Sequence, residues 1–147
     1  MSQRKSKCVR CRRLICICNI HNNIKRPRHR PKKNGRFTQK VVCIRRCVPI
    51  KQPCDNTTHR AYFIFLEGPN IFPPSGTITI INNSKNCTMQ INLITSDQVP
   101  EDVDVGPNSS FTAIVSNLIS INVLCKGQSA AEGTGLLELD LHYILMF

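Results

Sequence analysis

Alternation of apolar and polar side chains is clearest near the C-terminus. There Leu137, Leu139, Leu141, Tyr143 and Leu145 fall two apart, with Glu138, Asp140, His142 and Ile144 between them. A period of two puts one set on one face of a β-strand and the other set on the opposite face. Three earlier runs repeat the pattern. Met89, Ile91 and Leu93 oppose Thr88, Gln90 and Asn92; Phe111, Ala113 and Val115 share a face; so do Ile119, Ile121, Val123 and Cys125. Thr77–Ile81 and Val41–Val48 are rich in β-branched residues, the latter ended by Pro49 and Pro53. Ala61–Leu66 (AYFIFL) is apolar throughout, as a strand buried on both faces is.

Turn chemistry separates these runs: Gly68, Pro69, Pro73, Pro74 and Gly76, then the NNSK turn at Asn82–Lys85, then Gly133-Thr-Gly135. Val99–Asn108, around Gly106-Pro107, reads as an acidic loop. Seven short strands with turns between them predict an all-β fold, an antiparallel jelly roll or β-sandwich. The last strand has no charged residue after Asp140. It is either a central strand of the sandwich or an apolar edge that a neighbouring subunit covers.

Charge divides the chain differently from hydropathy. Residues 1–40 hold fourteen Lys or Arg and no acid, whereas the rest holds six basic and nine acidic residues. The N-terminal stretch therefore carries +14 and the remainder −3, which together make the net charge of +11. Eight of those cations lie between Lys25 and Lys40 beside prolines, with almost nothing to bury. This predicts a long, mostly disordered basic arm over residues 1–40 joined to a β-domain over residues 41–147. Fully extended, such an arm reaches on the order of 130 Å, well beyond its own domain. It can bind nucleic acid, another anionic polymer, or the acidic body of a second copy.

Nine cysteines cannot all pair within one chain. Cys8, Cys11, Cys16 and Cys18 lie in the arm, Cys43, Cys47 and Cys54 in or beside the first strand, and Cys87 and Cys125 in later strands. Cys8-x2-Cys11-x4-Cys16-x4-His21 has ligand types and intervals suited to tetrahedral zinc, close to a retroviral-type knuckle with its third and fourth ligands exchanged. The glycine and aromatic positions that turn such a knuckle and stack a base are missing. Cys43 and Cys47 read as neighbours on opposite faces of a strand, poorly placed to share a metal. Cys87 and Cys125 read either as small buried hydrophobes or as receptor thiols for an arm cysteine.

The four histidines are scattered, and no Ser, Asp or Cys arrangement suggests a catalytic triad. Asp97, Glu101, Asp102 and Asp104 read as a solvated acidic loop in preference to a Ca²⁺ site. Asn-x-Ser/Thr sequons at Asn56, Asn82, Asn86 and Asn108 matter only in a eukaryotic secretory protein. Leu14–Ile20 is too short and cysteine-rich for a secretory signal, and no segment has the length of a membrane span.

GTITIINNS (Gly76–Ser84), GPNSSFTAIV (Gly106–Val115), SNLISINVLCKG (Ser116–Gly127) and GTGLLELDLHYIL (Gly133–Leu145) together resemble the subunits of bacterial endospore appendages, pilus-like fibres of Bacillus-type spores. The resemblance covers roughly residues 41–147. It implies an eight-stranded jelly roll that stacks by sheet augmentation, with a flexible N-terminal connector whose cysteines bridge to strand cysteines of subunits further along the fibre. On this resemblance the donors lie among Cys8, Cys11, Cys16 and Cys18, and the receptors are Cys125 and one of Cys43, Cys47 or Cys54. It also implies synthesis without a signal peptide and a final place on the spore surface. The arm is longer and more basic than the connector of the resemblance. That leaves room for anchoring to an anionic spore layer, or for a minor subunit at a base or tip.

The expected function is therefore a structural, self-assembling, disulfide-cross-linked fibre subunit. It is not an enzyme, needs no cofactor, and has other copies of itself or related subunits as partners. The alternative is a basic nucleic-acid module with zinc held by Cys8, Cys11, Cys16 and His21, and a β-sandwich as its oligomerising body.

Overall fold

The computed structural model describes residues 39–57, 59–97, 99–128 and 131–146, together with the backbone of three two-residue strands in the arm. Those three are β1 (Ser6–Lys7), β2 (Leu14–Ile15) and β3 (Asn19–Ile20). Eight strands form the body: β4 (Gln39–Pro53), β5 (Arg60–Ile64), β6 (Ser75–Asn82), β7 (Cys87–Thr95), β8 (Glu101–Val105), β9 (Ser110–Val115), β10 (Leu118–Gly127) and β11 (Glu132–Met146).

Two antiparallel sheets stack face to face. One has the order β3-β4-β11-β6-β9 and the other β5-β10-β7-β8; β1 and β2 pair separately. Successive body strands cross from one sheet to the other at every connection except the β7–β8 hairpin, the jelly-roll order, so the fold is an eight-stranded jelly roll. The alternating residues point into the shared core. Ile78 and Ile80 of β6, Met89 and Ile91 of β7, Ile121 and Val123 of β10, and Leu137, Leu139 and Leu141 of β11 are all buried. β11 lies between β4 and β6 over Gly135–His142, so the last strand is central. Its end is covered by the β5–β6 connection, where Phe72 N–H donates to the Ile144 carbonyl at 3.4 Å and Met146 N–H to that of Asn70 at 3.1 Å.

Four details differ from the sequence reading, each for a local reason. β4 runs through Pro49 to Pro53, pairing Pro49 with Leu136 and Pro53 with Glu132. A strand with an open side tolerates proline, because the missing N–H can fall on that side. Val99–Asn108 contains strand β8, with Val105 buried and Asp102 and Asp104 exposed. Its acids hid a two-residue alternation, and side-chain bonds tie it to β7: Asn92 Nδ2 donates to Asp102 Oδ1 at 2.8 Å.

Ala61–Leu66 contributes β5, an edge strand not buried on both faces; Ile64 is 61% exposed and Leu66, just beyond the strand, 82%. Ile119 leaves the face of Ile121, Val123 and Cys125, because a register shift between Leu118 and Ser120 buries Leu118 in its place.

Asn82 holds one end of the sandwich together. Fully buried, its Nδ2 lies within 2.8, 2.9 and 3.0 Å of the carbonyls of Cys87, Val105 and Gly106, while its Oδ1 accepts from Ser84 N–H at 3.0 Å. One side chain thus fastens the β6–β7 turn to the end of β8. Asn56, Asn70, Asn108 and Asn117 have positive φ (50–62°), a turn conformation that asparagine tolerates. Structural roles therefore account for three of the sequon asparagines: Asn56, Asn82 and Asn108.

Candidate assembly surfaces

Parity along each strand decides which cysteines face the core. Ile50, Gln52 and Cys54 share the buried parity at the end of β4, and Cys87 shares that of Met89 and Ile91 on β7. These parities bring Cys54 and Cys87 together in a disulfide with Cα atoms 6.1 Å apart. The bridge joins the end of β4 to the start of β7 and so ties one sheet to the other. Cys54 therefore bonds within the chain, where a receptor for an arm cysteine was one of its expected roles. The inward parity of the two residues was the sequence signal for this pair.

Cys125 is buried on β10 and faces Gly133 of β11 so closely that a Cβ at Gly133 would collide with its Sγ. Burial raises the thiol pKa above its ordinary value, a hydrogen bond with Gln52 opposes the shift, and the Asp55 charge adds to it. The neutral, enclosed thiol has little access to a partner sulfur. Gln52, itself buried, donates from Nε2 to the Val123 carbonyl at 3.1 Å and accepts from Tyr62 Oη at 3.1 Å. Burial also raises the Tyr62 pKa, against the lowering effect of its hydrogen bond with Lys51 N–H.

Cys43 and Cys47 have the opposite parity and lie half-buried on the outer side of their sheet. Four residues apart, they share one face, where opposite faces were expected; about 13 Å of strand separates them. Across the ladder Cys43 pairs with His142 and Cys47 with Glu138. Between them Arg45 Nε meets Asp140 Oδ2 at 3.0 Å, a surface pair with both side chains about half exposed. Cys8, Cys11, Cys16, Cys18 and His21 lie outside the described residues, and the zinc set with them.

Among the described residues, no three His, Cys, Asp or Glu side chains converge as a metal site. The acidic residues near β8 make separate contacts: Asp97 with Asn117 at 3.1 Å, Asp102 with Asn92, and Asp104 with Lys126 at 3.6 Å. No helix among the described residues is long and apolar enough to cross a membrane.

The sheets end in strands with one open side. β5 closes one side of its sheet, and β9 closes the other sheet. Each carries an exposed aliphatic residue, Ile64 on β5 and Ile114, 86% exposed, on β9. Tyr62 of β5 touches Gln52 of β4, while β9 neighbours β6, which packs near β8. The two edges consequently sit on opposite sides of the sandwich and in different sheets. A row of unpaired backbone N–H and C=O groups beside apolar side chains can accept a strand from another chain.

A model of the family described as endospore appendages matches residues 32–145. Among solved structures, a chain from a study of Bacillus endospore appendages as disulfide-linked pili is similar in fold, with a TM-score of 0.55 at 14% identity. The match covers 82% of this chain and 99% of that one. No curated protein matches.

Proposed function

The chain belongs to the endospore appendage family, and from that premise we propose that it is a structural subunit of a spore-surface fibre that assembles by strand-edge augmentation. The observation that carries the augmentation is the pair of open edges, β5 and β9, each with an exposed isoleucine and on opposite sides of the sandwich. An edge of one copy that meets a different edge of the next forms a heterologous contact. Such contacts propagate as an open stack or close as a ring, according to the rotation at each step. Residues 41–147 form the stacking body, and residues 1–40 form a connector that reaches a further subunit.

Arm cysteines among Cys8, Cys11, Cys16 and Cys18 bridge to Cys43 or Cys47 of another copy. The outer-face position and partial exposure of Cys43 and Cys47 support this choice over buried Cys125. Each bridge removes two protons and two electrons from a pair of thiols, and dioxygen takes them up as hydrogen peroxide. The basic stretch from Lys25 to Lys40 suits contact with an anionic spore layer. The role is mechanical: backbone pairing sets the geometry, and disulfides make it persistent.

Replacing both exposed edge residues tests the augmentation. Ile64→Lys with Ile114→Lys places charge on each edge while leaving the core intact. Electron microscopy of the oxidised protein is expected to show filaments or rings for the parent and dispersed monomers for the variant, with unchanged melting. Assemblies of unchanged length and abundance in the variant would rule out these edges.

A further inference from the structure

The enclosure that denies Cys125 a partner sulfur leaves a different electrophile beside it, the carboxamide of Gln52. Both side chains are buried, Gln52 at 3% exposure and Cys125 at 0%. They come from different sheets, Gln52 from β4 and Cys125 from β10. Gln52 pairs across the ladder with Gly133, and the Cys125 sulfur occupies the space that a Cβ at Gly133 would fill. Glycine at that position lets the sulfur approach from the facing sheet. A hydrogen bond joins the thiol to the carboxamide, so the sulfur is a near neighbour of the carbon Cδ. We propose that Gln52 and Cys125 are the precursor of an internal thioester, a covalent tie between the two sheets that the folded chain forms by itself.

The other contacts of the carboxamide orient it for this reaction. Its Nε2 donates to the Val123 carbonyl at 3.1 Å, and its Oε1 accepts from Tyr62 Oη at 3.1 Å. Lys51 N–H donates to the same Oη at 3.3 Å, which leaves the hydroxyl proton for Oε1. Burial raises the Tyr62 pKa, so the hydroxyl keeps that proton and stays a donor. When Sγ attacks Cδ, the S–C bond forms and negative charge gathers on Oε1, where the Tyr62 hydroxyl stabilises it. The thiol proton passes to Nε2, the C–N bond breaks, and ammonia leaves. No electrons are transferred, so the step needs neither oxidant nor reductant.

A thioester is less stable than an amide, and two effects offset the difference. Well-oriented groups in one chain meet at an effective concentration of about 10⁵ M or more, and the ammonia dilutes into solvent. Burial then keeps hydrolytic water from the product. Burial also raises the Cys125 pKa, so thiolate is scarce and closure is slow. The structure describes the thiol beside an intact carboxamide, and freshly folded protein is expected to hold that state. The reaction needs one chain and so stands apart from assembly.

The test uses the full chain with Cys8, Cys11, Cys16, Cys18, Cys43 and Cys47 changed to Ser, which removes interchain bridges and keeps the Cys54–Cys87 disulfide. Intact-mass spectrometry during prolonged incubation of the folded protein is expected to show a growing species lighter by one ammonia. Unfolding that species in methylamine is expected to leave an N-methyl amide at Gln52 and a thiol at Cys125. Cys125→Ala is expected to keep its full mass. Tyr62→Phe, with melting measured to establish that it folds, is expected to close about a hundredfold more slowly, the scale of one lost oxyanion donor.

A folded parent whose mass never falls would overturn the thioester. So would an ammonia loss that persists in Cys125→Ala, or a light species that takes methylamine away from Gln52. Closure of Tyr62→Phe at the parent rate would overturn the part given to its hydroxyl.

Discussion

The Cys54–Cys87 bridge makes a quantitative demand on stability. It closes a loop across 33 positions and joins the two sheets at one end of the sandwich. In the chain-entropy account, a loop of this size restricts the unfolded chain by about 4 kcal/mol. Both residues are completely buried, so their replacement also removes packed sulfur, and the two losses act in the same direction. For a body of roughly 100 residues, about 4 kcal/mol corresponds to a fall in Tm of roughly 15–30 °C.

The clean comparison uses a full-length background with Cys8, Cys11, Cys16, Cys18, Cys43 and Cys47 changed to Ser, so that assembly does not mask the fold. In that background Cys54→Ala with Cys87→Ala, followed by calorimetry, is expected to show this fall. Adding reductant to the disulfide-bonded background protein should produce most of it. Cys125→Ala serves as the control, since it removes a buried sulfur without opening a loop. A double variant melting within about 5 °C of its background would refute the role given to the bridge. So would a control that falls as far.

Other expectations follow from single residues. Asn82→Ala leaves three carbonyls and the Ser84 N–H without their partner, and urea titration should show a loss of about 2–3 kcal/mol or more. Gly76 has φ of +155°, and a Cβ there would strike the Asp140 backbone; Gly76→Ala is expected to cost at least about 2 kcal/mol in the same assay. Cys125 should react with iodoacetamide far more slowly in the folded protein than in urea; equal rates would contradict its burial.

The raised thiol pKa of Cys125 also fixes the sign of a pH effect. Its stabilising contribution is complete below the unfolded thiol pKa and is lost as pH rises through the higher folded value. The alkaline decline in stability should therefore be shallower for Cys125→Ala than for the disulfide-bonded background.

The jelly roll was legible where one face of a strand meets the core and the other meets solvent. Leu137, Leu139 and Leu141 declare their face through alternation, and Ile78 and Ile80 fit the same scheme. β8 escaped notice because Glu101, Asp102 and Asp104 outnumber its two valines; pairing with β7 supplies what local propensity does not. β5 misled in the other direction. Its apolar run reads as buried on both sides, but it is an edge whose Ile64 is exposed in the isolated chain.

The cysteines follow the same physical rule. Parity sends Cys54 and Cys87 inward and Cys43 and Cys47 outward, yet sequence spacing alone does not say that the ends of β4 and β7 meet. That meeting depends on the order of strands in two sheets, a property of the whole fold. The family resemblance drawn from the C-terminal strands agrees with the family match over residues 32–145. The arm's charge was plain from composition, whereas its pairing with β4 depends on a register that no local pattern announces.

The most direct test of the fibre account is electrophoresis of the air-oxidised full-length protein with and without reductant, paired with negative-stain microscopy of the same sample. The account predicts a ladder of covalent multimers that collapses on reduction, and filaments or rings in the micrographs. A monomer with its arm thiols reduced and holding zinc, and with no ordered assembly, would contradict it and favour the basic nucleic-acid module.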